Sequence, residues 1–335
     1  MNRGIMLALW LASLAGTCLG QTPGVVIDVT DDVRWPLVRG VAPGELKTFW
    51  VHGLAIDLAK SVFAPKALLP TSFEGVSVDV LGVLLERGPV HNAAIVGLIP
   101  HSDLIGVMVQ IPYELDLYDG GTTPAGAGRV NIRKNGLLIA SVSTKPYRRL
   151  PHILKGSPGA LAIAFPEHFR AVSRLDGSWV HELTPVAPGE TVKMIAAGLG
   201  YNDFPAGQPK PLTGVPAGPN YRLTVATGTI ADTFGIAFRF GANVEGGPVG
   251  IRETGAPESE GLLEAKLLEG AVGLYQITFR IPDSVPSGTP PCGLPSDLNG
   301  QRVRNNLAVS IGYMHSGRGG GPIFDTVGVC VKTTK

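Results

Sequence analysis

Charge is scarce in this chain. Lysine, arginine, aspartate and glutamate make up 16% of its 335 residues, and the formal net charge at pH 7 is +1. No basic field invites nucleic acid or an anionic membrane surface. Cysteine is scarcer still, at three residues, and no Cys-x-x-Cys spacing occurs. A redox pair of that kind and a zinc ribbon are therefore unsupported. Aromatic residues are 7% of the chain, which leaves little material for stacking surfaces. Beyond the N-terminus no run reaches the roughly 18 uncharged apolar residues of a membrane helix. The closest, residues 93–111, is broken by Pro100, His101 and Asp103. The mature chain is predicted to have no transmembrane segment.

Catalytic spacings are also missing. No Gly-x-Ser-x-Gly occurs, and Gly156-Ser157-Pro158-Gly159 suits a linker turn. His101-Ser102-Asp103 holds the residue types of a triad, but consecutive residues cannot converge as a triad must. It reads instead as a polar turn before a strand. The seven histidines (52, 91, 101, 152, 168, 181 and 315) show no His-x-x-x-His spacing. Gly198-Leu199-Gly200 follows a strand pattern as a dinucleotide fingerprint would. Asp203 stands where that fingerprint needs glycine, and Phe204-Pro205 cannot open its helix. No catalytic residue and no cofactor is predicted, and the chain reads as a non-enzyme.

What is present begins at the N-terminus. Met1-Asn2-Arg3 carries one positive charge, residues 4–15 are apolar, and Gly16-Thr17-Cys18-Leu19-Gly20 is small-residue rich. That is the order of a secretory signal, predicting cleavage after Gly20, a mature start at Gln21, and an exported protein in the extracellular space or cell envelope. The alternative is a lipid-anchored Cys18, which Ala15 fits poorly because leucine is expected there. Removal of the signal leaves Cys292 and Cys330. In an oxidising compartment an isolated pair reads as a disulfide, contributing about 3–4 kcal/mol on the chain-entropy argument. Two buried free thiols are the other reading.

Val41-Ala42-Pro43-Gly44-Glu45 recurs 145 positions later as Val186-Ala187-Pro188-Gly189-Glu190. Gly53-Leu54 and Gly198-Leu199 keep the same offset. This reads as an internal repeat of one structural unit. The later landmarks Ile111-Pro112 and Ile281-Pro282 lie 170 apart. About 25 extra residues are thus expected in the second unit, much of them within 204–261. The predicted division is 1–20 signal peptide, 21–155 first unit with an N-terminal extension, and 156–335 second unit with an insertion. The join is expected near 155–159.

With 45 glycines and 28 prolines, the chain punctuates short runs of alternating or β-branched residues. Strands are predicted at 46–51, 75–80, 107–111, 129–134, 137–143, 191–195, 221–225, 236–240 and 275–281. Asn135-Gly136 is the strongest hairpin signal, because that pair supplies the positive backbone dihedrals of a two-residue turn. Helical pattern is scarce; residues 54–67 and 167–172 have room for a turn or two. Many short strands at near-regular spacing predict an all-β chain of two tandem sandwiches.

Pro188-Gly189-Glu190-Thr191-Val192 followed by Ala197-Gly198-Leu199-Gly200 resembles the opening of the Solibacter-type C-terminal domain of exported acidobacterial proteins. The segment 171–178, the stretch Gly273-Leu274-Tyr275-Gln276-Ile277, and Arg280-Ile281-Pro282 with Pro286-Ser287-Gly288 resemble its other parts. In the first unit, 75–78 and 110–115 resemble the equivalent half. The resemblance implies immunoglobulin-like sandwiches and carries no established activity. The region 292–321 is longer than that family's usual ending.

Two ligand classes remain. Asp31, Asp32, Asp116 and Asp119 sit near predicted turns and are the candidates for calcium. Trp179 and Tyr201, near predicted loops, are the candidates for stacking on a glycan, whereas Trp50 is expected in the core. Trp35, Tyr118, Tyr147 and Tyr313 are the remaining aromatics considered. The sequence thus predicts a non-catalytic structural or adhesive protein, with a carbohydrate-binding module as the alternative. Its partner would be an envelope protein or a polysaccharide.

Overall fold

The computed structural model describes residues 27–28, 40–65, 68–82, 89–115, 128–147, 150–154, 171–200, 209–219, 221–223, 234–242, 261–294, 302–313 and 323–333. These residues form strands and turns, with no α-helix among them. The first strands are β1 (Ile27–Asp28), β2 (Gly40–Val41), β3 (Leu46–His52), β4 (Val62–Phe63), β5 (Ser72–Phe73) and β6 (Val76–Leu81). There follow β7 (Val90–Asn92), β8 (Ala94–His101), β9 (Leu104–Gln110), β10 (Gly128–Lys134) and β11 (Leu137–Pro146). The later strands are β12 (His152–Ile153), β13 (Val172–Arg174), β14 (Thr191–Ala197) and β15 (Phe234–Phe240). The last are β16 (Leu262–Leu267), β17 (Leu274–Arg280), β18 (Leu307–Tyr313) and β19 (Ile323–Val329).

They assemble into four sheets, ordered β1-β3-β9-β8-β4, β2-β11-β10-β6-β5, β12-β14-β17-β16 and β15-β18-β19; β7 joins the second at β6 and β13 the third at β14. In each half, one sheet contains the A-B-E-D order of the immunoglobulin fold and its partner the G-F-C order. The short β2 lies parallel to the end of β11, with Val41 opposite Pro146. In the second half the bridge from Val186 to Val331 is likewise parallel. The chain is therefore all-β and immunoglobulin-like in strand order.

Alternation builds the outer layers. In β6, Val76, Val78 and Val80 are buried while Ser77, Asp79 and Leu81 are half-buried, the two-residue period of a sheet with one wet face. The inward valines meet Phe49, Val51, Val107 and Val109 in one core. A second core joins Val192, Met194 and Ala196 of β14 to Ile236 and to Leu307, Val309 and Ile311 of β18. The Asn135-Gly136 turn closes β10 onto β11 with φ of 50° and 81°, as the dipeptide predicts.

The sheet of β3, β9 and β8 breaks the alternating rule. Residues 94–99 of β8 and 106–110 of β9 are buried throughout. A third core explains this: Leu46, Trp50, Ala94, Val96 and Met108 pack against Ile195, Ala197 and Leu274 of the second half. A register shift between Ile95 and Gly97 sends Ile95 and Leu98 to the first core, and Ala94, Val96 and Ile99 to this middle one. The four sheets form a stack with three apolar layers. The apolar run 93–111 is a hairpin covered on both faces, which is why it lacks the polar half of the period. Among the described residues no helix is long and apolar enough to cross a membrane.

The second half is less regular than the sequence predicts. Of the segment 221–225, only 221–223 are described, and Arg222 makes an isolated bridge to Lys266 rather than a strand. Residues 54–65 contain no helical turn. Residues 172–174 form strand β13. The predicted join at 155–159, residues 167–170 and the signal region 1–20 lie outside the described residues, as does much of the predicted insertion. Residues 150–154, just ahead of the join, already bond to β14 and the residue after it: Leu150 N–H donates to Gly198 O at 2.7 Å and Leu154 N–H to Ile195 O at 2.9 Å.

Candidate functional site

The two Val-Ala-Pro-Gly-Glu segments fold alike. In each, proline and glycine occupy the middle of a four-residue turn, with Gly44 at φ 74° and Gly189 at φ 73°. The turn closes through Glu45 N–H to Ala42 O at 3.1 Å and Glu190 N–H to Ala187 O at 3.2 Å. Proline fixes the first central φ, and glycine supplies the positive second one. The glutamate side chain then reaches back. Ala42 N–H donates to Glu45 Oε2 and Ala187 N–H to Glu190 Oε2, both at 2.8 Å. The same turn also holds the strand that ends at Ile-Pro, with Ile111 N–H donating to Glu45 O and Ile281 N–H to Glu190 O.

The remaining carboxylate oxygen differs between copies. Glu190 Oε1 accepts from Arg174 Nε at 2.7 Å, and both side chains are partly exposed. Glu45 is fully buried; its Oε1 lies 3.4 Å from Lys47 Nζ and 3.2 Å from His152 Nε2. Lys47 is buried too, and its ammonium also donates to Gly40 O. Burial pushes the Glu45 carboxyl up, but the Lys47 charge, the His152 contact and the Ala42 N–H together hold it below the usual glutamate value. His152 sits on β12, so this carboxylate is held by both halves of the chain.

Close packing surrounds it. A Cβ on Gly44 would stand 2.1 Å from the ring of Tyr113, and one on Gly273 would stand 2.5 Å from Gly44 O. The turn before β3 thus lies directly against the turn before β17. Tyr113 is buried, and burial raises its hydroxyl above the ordinary tyrosine value. Tyr275 donates to Gly200 O at 2.6 Å. Residues 209–219, within the predicted insertion, cross to the first half. Gly214 N–H donates to Gln110 Oε1 at 2.6 Å, Leu69 N–H donates to Gly214 O, and Tyr113 N–H donates to Thr213 Oγ1.

The residues singled out in the sequence fall elsewhere. Cys292 and Cys330 are joined as a disulfide, with Cα atoms 5.9 Å apart, tying the β17–β18 connection to the end of β19. Trp179 is half-buried, bridges Ser173 through its backbone, and lies between exposed Leu175 and Leu183 in sequence. Tyr201 lies outside the described residues, as do Asp31, Asp32, Asp116 and Asp119, Cys18, Trp35 and Tyr118. Trp50 is in the middle core. Ser102 and Asp103 form the β8–β9 turn, and His52 Nδ1 lies 2.9 Å from Asp103 Oδ2. Among the described residues no group of three or more His, Cys, Asp or Glu could hold a metal ion.

Sequence reasoning found Glu45 and Glu190 as repeat positions but missed Lys47, Gln110 and His152. Lys47 carried a signal. It occupies the position where the second copy has Val192, a core residue, so a charge there implies a buried partner.

No family model matches the chain, and no curated protein matches it. Among solved structures, one described as the broadly conserved Escherichia coli adhesin FdeC is similar over 92% of this chain, at 13% identity and a TM-score of 0.18. This chain spans 64% of that adhesin chain's length. A marsupial T cell receptor is similar over 91% of this chain and 99% of its own, at 8% identity and a TM-score of 0.14. At such scores neither likeness carries an argument, and the strand order rests on the sheets themselves.

Proposed function

We propose that this protein is a non-catalytic, exported β-sandwich protein with a structural or adhesive role in the cell envelope or outside the cell. The observation that carries the reading is how the described residues use their buried charge. Glu45 and Lys47 at the start of β3 meet His152 of β12, so these groups join two sheets to each other instead of lining a solvent-facing cleft. A chemistry-bearing site would instead turn perturbed groups toward a substrate. The Cys292–Cys330 disulfide supports export, because such bonds persist in oxidising compartments. The signal-like N-terminus and the resemblance to the Solibacter-type domain point the same way.

A carbohydrate-binding module is the second reading. Trp179, half-exposed in a segment that also exposes Leu175 and Leu183, favours it. The test is a pull-down of residues 21–335 against insoluble polysaccharides and isolated envelope fractions, read by depletion from solution. Retention by envelope alone supports the structural or adhesive role. Binding to a defined glycan that is lost in Trp179→Ala establishes the second reading instead. A hydrolytic activity that survives purification and disappears on a point mutation would sink both.

A further inference from the structure

We propose that Glu45, Lys47 and His152 form an acid-released clasp that holds residues 150–154 of the second sandwich onto the first. Glu45 Oε2 is committed to the Ala42 N–H within its own turn. Oε1 faces the junction, with Lys47 from β3 on one side and His152 from β12 on the other. Around these three the packing admits little else. Leu150 O would lie 1.9 Å from a Cβ on Gly198, and the Tyr113 ring closes over Gly44. A second carboxylate meets β12, Asp325 of β19, whose Oδ2 accepts the Ile153 N–H at 2.6 Å. Asp325 is half-buried, and its two carboxylate oxygens accept the Ile153 and Thr326 N–H groups.

Protonating Glu45 would leave the buried Lys47 ammonium without the charge opposite it. Removing one member of a buried set costs far more than the set itself contributes. The sign follows from the lowered carboxyl. The clasp is fully formed above the ordinary glutamate value of about 4.5, and it is lost as pH falls through the depressed value of the folded protein. The apolar middle core carries no titrating group among its members, so its other members keep the halves together while the 150–154 segment, Leu154 included, lets go. The second copy provides the control. Glu190 caps the same turn but pairs with Arg174, at a partly exposed place inside one sandwich.

The experiment is amide hydrogen exchange on the full-length chain, expressed as protection factors at Leu150 and Leu154, whose N–H groups bond to Gly198 and Ile195. Glu45→Gln at neutral pH should lose at least tenfold protection there, and the unaltered chain should lose protection at the same amides as pH is lowered below the ordinary glutamate value. Glu190→Gln should leave both amides unchanged. Glu45→Gln combined with Lys47→Met, which removes both charges, should restore most of the protection at neutral pH. Three results would overturn the clasp: Leu150 and Leu154 staying protected in Glu45→Gln, equal opening in Glu190→Gln, or a loss spread evenly over β6 and β10. Failure of the double variant to recover would overturn the charge argument that underlies it.

Discussion

Two identical pentapeptides place glycine at the same φ, yet the two glycines are not equally replaceable. A Cβ on Gly44 meets the Tyr113 ring at 2.1 Å, inside the junction, whereas one on Gly189 meets Asp283 Oδ1 at 2.6 Å, the end of an exposed side chain that can swing away. Both substitutions carry the strain of a positive φ, about 1–3 kcal/mol. Gly44→Ala should add overpacking of about 1–3 kcal/mol more. Urea unfolding of the two variants should therefore show Gly44→Ala as clearly the more damaging. Equal losses would mean that Tyr113 moves aside freely. The recurrence alone marked both glycines and both glutamates. It could not mark the contrast, because the same five letters are buried in one copy and partly exposed in the other. What differs is the company supplied from far along the chain, by His152 and Tyr113 for one turn and Arg174 for the other.

At the level of strands, the clearest sequence patterns are those with one dry face or with a turn signal at one end. The alternation of β6 and the Asn135-Gly136 hairpin of β10 and β11 match the sequence pattern closely. Strand β8 is not predicted, because two dry faces erase its alternation, whereas β3 and β9 of the same sheet are bounded by the Pro-Gly turn and by Pro112. Strands β18 and β19 are not predicted: a glycine-rich stretch, 316–321, separates them, and they fall in the region that departs from the resembled family. The difference between sheet faces is testable. Met108, buried in the middle core, and Ser77, half-buried on the outer face of β6, occupy ordinary strand positions. Met108→Asp should cost at least about 3 kcal/mol, because it buries an unpaired charge. Ser77→Asp should stay within about 0.5 kcal/mol. Thermal unfolding of both variants settles the comparison, and a mild effect of Met108→Asp would mean that the two middle sheets are not in dry contact.

Across the whole molecule, three apolar layers, a strap at 209–219 and one disulfide tie the chain together. The disulfide closes a sequence separation of 38 residues, for which loop-closure entropy gives about 3–4 kcal/mol. Replacing both Cys292 and Cys330 by serine should lower stability by that amount in denaturant. The loss should appear in the second half, whose β17–β18 connection the bond anchors. Asn306 sets a limit on the effect: it bonds Pro290 O and Val331 O and accepts from Val331 N–H, holding the same connection without the sulfurs. A loss well under 1 kcal/mol would show that Asn306 suffices.

The sequence by itself determined the all-β class, many of the strands, the paired turns and the cysteine pair. Those depend on local φ preferences, on two-residue periodicity and on composition, all of which are written within a few neighbouring residues. The tertiary structure alone decided that sheets from the two halves pack through a shared core, that the 209–219 segment crosses to the first half, and that Glu45 meets His152. Such contacts join residues far apart in the chain. Their energy comes from burial on a second face, and no local pattern records which distant surface provides the cover.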